Sequence, residues 1–123
     1  MSRESAPDLT APESEELHRA LVALRDALAR TVAGLRDAAK PVDRDQPIGR
    51  VSRMDAIQQQ QMARASREGI ALRVKQVGAA LDRVADGSYG TCVACEENVG
   101  YARLKARPET PLCIACQTRR ERR

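Results

Sequence analysis

Four cysteines constrain this chain more tightly than any other feature. They stand as Cys92-x-x-Cys95 and Cys113-x-x-Cys116, with 17 residues between the pairs. Two residues between thiolates let a tight turn aim both sulfurs at one ion. A second pair then completes a tetrahedron at about 2.3 Å per Zn–S bond. Tyr89-Gly90 ahead of the first pair and Pro111-Leu112 ahead of the second read as the backbone bends that set up each turn. Four protein ligands leave no position open for water, so such a metal is structural rather than catalytic. Three rivals stand beside zinc. An iron–sulfur cluster also takes four thiolates. Two disulfides need an oxidising compartment. A thiol oxidoreductase needs only one Cys-x-x-Cys pair, on a thioredoxin-like sheet that this chain cannot build. The expectation is one Zn2+ per chain, with a redox-sensing role left open because thiolates oxidise.

The rest of the composition explains why a metal is needed. The chain has 123 residues, no Phe or Trp, and two tyrosines, Tyr89 and Tyr101. Large cores lean on aromatic rings for buried area. Here the apolar residues are Leu, Val, Ala, Met and Ile, and 31% of residues are charged. That mix suits long helices better than a sandwich or a doubly wound sheet. No secretion signal or membrane-length apolar run is visible. The chain therefore reads as cytoplasmic, where thiols stay reduced and clustered cysteines point to metal.

Periodicity supplies the elements. Residues 1–10 read as a disordered tail. Thr10 and Glu13 then form a capping box, with Pro12 tolerable in the first turn. Leu17, Leu21, Leu24, Leu28, Leu35 and Ala38 recur at steps of three, four and seven, with Ala27 and Val32 widening the stripe. Pro41 ends this helix, and residues 41–51 carry two prolines and a glycine with no periodicity. Ser52 offers a second N-cap, with Asp55 at the third helical position. The second helix is expected to run to about Ala85. Its seam is Ile70, Val74, Val77, Leu81 and Val84, and Gly87 suits a left-handed cap. Its outer half is polar, with four glutamines at 58–61, and Gly69 weakens its middle. Two long helices joined by a short linker lie antiparallel. The predicted fold is mainly α: a coiled-coil hairpin over residues 11–86 with its tip at about 41–56. A four-cysteine finger over 87–123 ends in a short basic helix.

Charge is unevenly placed. Residues 1–16 carry five acids against one base, and residues 101–123 carry seven bases against two acids. Arg119, Arg120, Arg122 and Arg123 could contact phosphates or an acidic protein face, or simply complement a helix dipole. Arg103 and Arg107 could bind phosphate or brace the finger against the helices. His18 is the only histidine, on an exposed helix position, and a fifth ligand role does not suit it.

The block DGSYGTCVACEENVGYARLKARPETPLCIAC, residues 86–116, resembles the DksA/TraR family of bacterial zinc-finger regulators that bind RNA polymerase. The carrying features are G-x-Y-G before the first cysteine pair, R-L-x-A-R-P at 103–108, and L-C-I-x-C at 112–116. Upstream, GRVSRMDAIQQQQMA at 49–63 looks like the hairpin tip of shorter members. The resemblance implies docking on RNA polymerase and insertion of the coiled coil through its secondary channel. Acidic tip residues then alter initiation-complex stability near the catalytic centre. It also implies a link to the stringent response, since many members act with guanosine tetraphosphate. The family tip is commonly D-x-x-D-x-A; here Asp55 and Ala56 are adjacent, with no aspartate three residues earlier. Asp43 and Asp45 in the turn are the other tip acids. Arg107 matches one basic residue of the family's alarmone site and Lys75 approximates another, whereas Gln117 replaces a lysine. Glu96 replaces the glycine usual after the second cysteine.

Three function classes can be separated at this level. A polymerase-binding regulator, acting as a monomer and without sequence-specific DNA binding or a membrane, fits the motifs. A nucleic-acid-binding zinc finger would want stacking aromatics or a basic recognition helix, and only the tail offers the latter. An enzyme would want a nucleophile motif and a pocket-forming core, and neither is present.

Overall fold

The structure is a computed structural model that describes residues 6–38 and 53–122. Four helices follow one another: α1 (Ala11–Ala38), α2 (Arg53–Asp86), α3 (Tyr101–Ala106) and α4 (Ile114–Glu121). α1 has 28 residues and α2 has 34. At 1.5 Å per residue they span about 42 and 51 Å. They form an antiparallel hairpin, and α3 and α4 belong to the finger at its base. Among the described residues the only extended pairing is one antiparallel bridge, Thr91 to Asn98. No described helix is long and apolar enough to cross a membrane.

The capping box starts α1 as its sequence predicts. The Thr10 N–H donates to Glu13 Oε1 at 2.9 Å, and the Glu13 N–H donates to Thr10 Oγ1 at 3.3 Å. At the far end of α2, Gly87 has φ 85, which lets the Ser88 and Tyr89 N–H groups turn back onto the Arg83 carbonyl at 2.9 and 3.1 Å. Asp86 Oδ1 accepts from the Ser88 N–H at 2.8 Å and hydroxyl at 2.5 Å. These bonds hold the Asp86 carboxyl below its usual range. α3 has no counterpart in the sequence reading: six residues are too few to show a 3.6-residue period.

Two apolar clusters hold the molecule. One joins Leu21 and Leu28 of α1 to Val77 and Ala80 of α2, with Leu24, Ile70, Leu81 and Val84 partly covered around them. The other lies in the finger and takes Leu17 from α1. Tyr89 packs against both. The expected seam needs one correction. Val74 is 42% exposed, while Ala80, outside the predicted set, is fully buried. The α1 residues beside Val74 include Ala29 and Ala33, whose side chains are short. An apolar groove of about 450 Å³ lies here, lined in part by Leu28, Val32, Val74 and Val77.

Residues 6–10 depart from the expected disordered tail. The Asn98 amide donates to the Ala6 carbonyl at 2.9 Å and to Asp8 Oδ1 at 2.6 Å. Leu9 packs into the finger cluster. This strap fits because two glycines lack a Cβ. An added Cβ at Gly90 would meet Leu9 Cδ1 at 3.0 Å, and one at Gly100 would meet Ala6 Cβ at 3.1 Å. Gly90 and Gly100 also have φ 97 and φ 101, where side chains are strained.

The outer half of α2 is different. Gln61, Arg64, Ala65, Ser66, Arg67, Glu68 and Gly69 are all exposed. Arg64 and Glu68 form an exposed i, i+4 pair at 3.5 Å. Asp55 and Ala56 are the third and fourth residues of α2, but their side chains lie outside the described residues. Ser52, Asp43 and Asp45, and most of the expected tip, lie outside them altogether.

Candidate metal centre

The backbone of residues 90–116 is arranged to bring two turns face to face. The Cys92 N–H donates to the Glu97 carbonyl at 2.8 Å, and the Glu96 N–H donates to the Cys92 carbonyl at 2.9 Å, closing the first turn. Glu96 has φ 65, the left-handed conformation that a glycine adopts without strain. The second turn runs into a helix: Cys113 is the N-cap of α4, and its Sγ accepts from the Cys116 N–H at 3.4 Å. The Val93 N–H donates to the Pro111 carbonyl at 3.0 Å and ties one turn to the other.

The four sulfurs converge as a result. All lie within 4.8 Å of one another, and Cys95 Sγ is 3.8 Å from Cys113 Sγ. Disulfide sulfurs sit at about 2.05 Å, and all four cysteines are free. Tetrahedral bonds of about 2.3 Å put sulfurs about 3.8 Å apart, so the donor set and spacing fit Zn2+. Cys92, Cys113 and Cys116 are buried, within a cluster that includes Val99, Leu104 and Leu112. Burial alone would push the Cys92 thiol up. The N–H groups of Cys113, Cys95 and Ala94 outweigh it and bring it down to about 6. Cys116, hydrogen-bonded to the Cys113 thiol and buried, is pushed up to about 12. A bound divalent cation takes all four as thiolates.

The loop between the pairs carries the finger's polar frame. Arg103 Nε donates to the Leu112 carbonyl at 2.9 Å, a bond within the finger. The Tyr89 hydroxyl donates to the Pro108 carbonyl at 2.9 Å, and burial pushes its phenol up to about 12. The Tyr101 hydroxyl donates to Glu16 of α1, which raises its phenol above the ordinary value. Arg107 stands 3.6 Å from Glu109 Oε1, while Lys75 is exposed on α2. Glu109 itself is fully buried and takes Arg73 Nε on Oε2 at 2.6 Å. Nothing in the sequence signals this pair: Glu109 reads as one acid in a loop, and Arg73 as one cation on a helix. His18 is exposed and outside the cysteine group.

The outer surface of the finger combines apolar and basic groups. Val93 and Ile114, each following the first cysteine of its pair, are 57% and 64% exposed. Ala94, Cys116, Arg119 and Arg120 line a shallow cleft of about 300 Å³.

Residues 87–122 match the prokaryotic dksA/traR C4-type zinc finger. The RNA polymerase-binding transcription factor DksA of Escherichia coli is 34% identical over 101 residues, covering 77% of this chain and 60% of its own length. The protein of the same name from Caulobacter vibrioides is 46% identical over 50 residues, covering 41% of this chain and 35% of its own. This chain thus spans about 60% of the length of the Escherichia coli relative. The structure of transcription factor DksA2 from Pseudomonas aeruginosa superposes with a TM-score of 0.66 at 26% identity, covering 94% of this chain and 91% of that one. With the zinc-finger match at one end and a shared helical hairpin along the remainder, the chain belongs to the DksA/TraR family.

Proposed function

We propose that this protein is a transcription regulator that binds RNA polymerase directly. Its hairpin enters the secondary channel, and its finger stays at the mouth. The observation that carries this reading is the division of the rod. A helix of 34 residues reaches about 51 Å. Among the described residues its buried seam stops near Ile70, and those between Gln61 and Gly69 are exposed. A shape of this kind delivers a few groups to a distant point; it does not enclose a substrate. The relatives are named as transcription factors, which points away from catalysis.

In this reading one Zn2+ per chain is held by Cys92, Cys95, Cys113 and Cys116 and fixes the base. Asp55 and Ala56, with Asp43 and Asp45 in the turn, act at the polymerase active centre. Arg107 and Lys75 are the contacts this reading offers to guanosine tetraphosphate, and Arg107 already shares Glu109 with Arg73. The protein works in the cytoplasm as a monomer, without sequence-specific DNA contact. A photo-crosslinker at position 49 tests the insertion: it is expected to label polymerase segments beside the catalytic magnesium. Labelling confined to the polymerase exterior refutes insertion. Labelling of promoter DNA, with capture of DNA rather than core polymerase by the zinc-loaded protein, would favour a nucleic-acid-binding finger.

A further inference from the structure

Among the described residues Glu109 is the only carboxylate that is fully buried. It lies in the turn between α3 and α4. Its Oε2 accepts a short charge-assisted bond from Arg73 Nε at 2.6 Å, across from the middle of α2. Its Oε1 is buried without a hydrogen bond. Arg107 Nε stands 3.6 Å from that oxygen, within ion-pair range but beyond hydrogen-bond reach. The neighbouring polar groups are committed elsewhere: the Tyr89 hydroxyl to the Pro108 carbonyl, Arg103 to the Leu112 carbonyl and the Thr110 hydroxyl. Arg73 and Arg107 therefore answer the charge of Glu109 between them.

A buried carboxylate persists only where cations compensate it. Two guanidiniums approaching one point from separate elements are also the arrangement that grips an oxyanion. A carboxylate fills that arrangement incompletely: one oxygen serves Arg73, and the other does not reach Arg107. A tetrahedral oxyanion, with acceptors in more directions, would serve both. Arg73 and Arg107 each keep one flank in solvent, so a ligand could approach them.

We propose that Glu109 is a built-in counter-anion. It stands between Arg73 and Arg107 where a phosphate would bind, pins the finger to α2, and competes at that position with phosphate-bearing ligands. The inference deepens the reading of Arg107 as a phosphate contact and is independent of docking on polymerase. Substituting Glu109 frees both guanidiniums for an external anion.

The test is calorimetric titration of the zinc-loaded full chain with inorganic pyrophosphate. Wild type, Glu109→Gln and Glu109→Ser are compared with the double variant Glu109→Ser, Arg107→Ala. Gln keeps the shape and removes the charge, whereas Ser also clears the space. Both single variants are expected to bind about tenfold more tightly than wild type, the scale of one charge-assisted contact regained. The gain is expected to shrink with added salt and to vanish in the double variant. Equal binding by wild type and single variants would overturn the proposal. So would variants that keep full zinc and helicity yet gain nothing. Should both single variants lose zinc and helicity, Glu109 is a structural strut alone and the proposal falls. Core-polymerase capture by the wild-type protein, run in parallel, reports on docking and keeps a failure of that reading apart from a failure of this one.

Discussion

The two halves of α2 are built for opposite purposes. From Ile70 to Asp86 the helix buries Val77 and Ala80 against Leu21 and Leu28, ends in a glycine cap, and receives the finger through Arg73. Its described residues between Gln61 and Gly69 are all exposed, and Arg64 and Glu68 there form an exposed ion pair. Such a pair contributes about 0.3–0.5 kcal/mol. One continuous helix thus joins an anchored base to an outer segment whose described residues are exposed. Stability and reach are separated along a single element, so changes at the base are expected to act on folding and changes at the tip on regulation.

Metal removal tests that separation most severely. Structural zinc supplies about 10–16 kcal/mol in small fingers. Stripping zinc, or changing Cys113→Ser, is expected to unfold residues 87–122 and release the strap at residues 6–10. The Leu21–Val77 cluster keeps much of the hairpin helical. Hydrogen exchange checks this: amides of the finger and strap lose protection first, and those around Leu28 and Val77 lose it last. Simultaneous loss throughout would show that base and rod are one cooperative unit.

Core truncation gives the next largest difference. Leu21 is fully buried, so Leu21→Ala is expected to cost about 2–5 kcal/mol. Gln61→Ala, on the exposed outer half, is expected to change stability by no more than about 0.5 kcal/mol. Denaturant midpoints of the two variants provide the measurement, and similar losses would erase the contrast between the halves.

A gain is expected at Glu96. Its φ of 65 is one that L side chains adopt at a cost of about 1–2 kcal/mol. Glu96→Gly relieves that cost and adds chain entropy to the unfolded state, leaving a net stabilisation of at most about 1 kcal/mol. Zinc retention against a competing chelator reads it directly, and a loss of zinc affinity would mean that the Glu96 side chain serves the turn.

The smallest effect on folding, and the largest on activity, is expected at the tip. Asp55→Asn removes a charge and keeps the shape, so helicity and polymerase capture should stay within error while the change in initiation-complex lifetime disappears. Ser52→Ala is the partner variant, expected to cost about 0.5–2 kcal/mol of helix cap without touching the acid. Equal loss of regulation and helicity in both reduces Asp55 to a helix-start residue. Normal regulation by Asp55→Asn moves the role to Asp43 or Asp45.

Legibility from sequence followed the range of each interaction. The cysteine turns, the capping box and the Gly87 cap are written within a few neighbouring residues, and all three were readable. The leucine seam was readable as periodicity, except where two surfaces had to match: Val74 is exposed because of which α1 residues stand opposite, and Ala80 is buried for the same reason. The strap was hidden because Ala6 and Leu9 look like any polar tail until Gly90 and Gly100 open space for them. Glu109 was hidden because burial depends on how the finger closes, which no local pattern encodes. Tip assignments at Asp43, Asp45, Asp55 and Ala56 rest on the resemblance alone.

The strap at residues 6–10 also sets a timetable. Leu9 and Leu17 leave the ribosome before the surface that covers them, which includes Gly90 and the cysteine turns. At about 5–20 residues per second, roughly 80 further residues take several seconds to emerge. Throughout that interval the start of α1 carries uncovered apolar side chains and no partner. Closure of the finger therefore brings residues 89–116 back onto Leu9 and Leu17. Any truncation that ends before Cys116 strands the N-terminus as surely as it removes the finger.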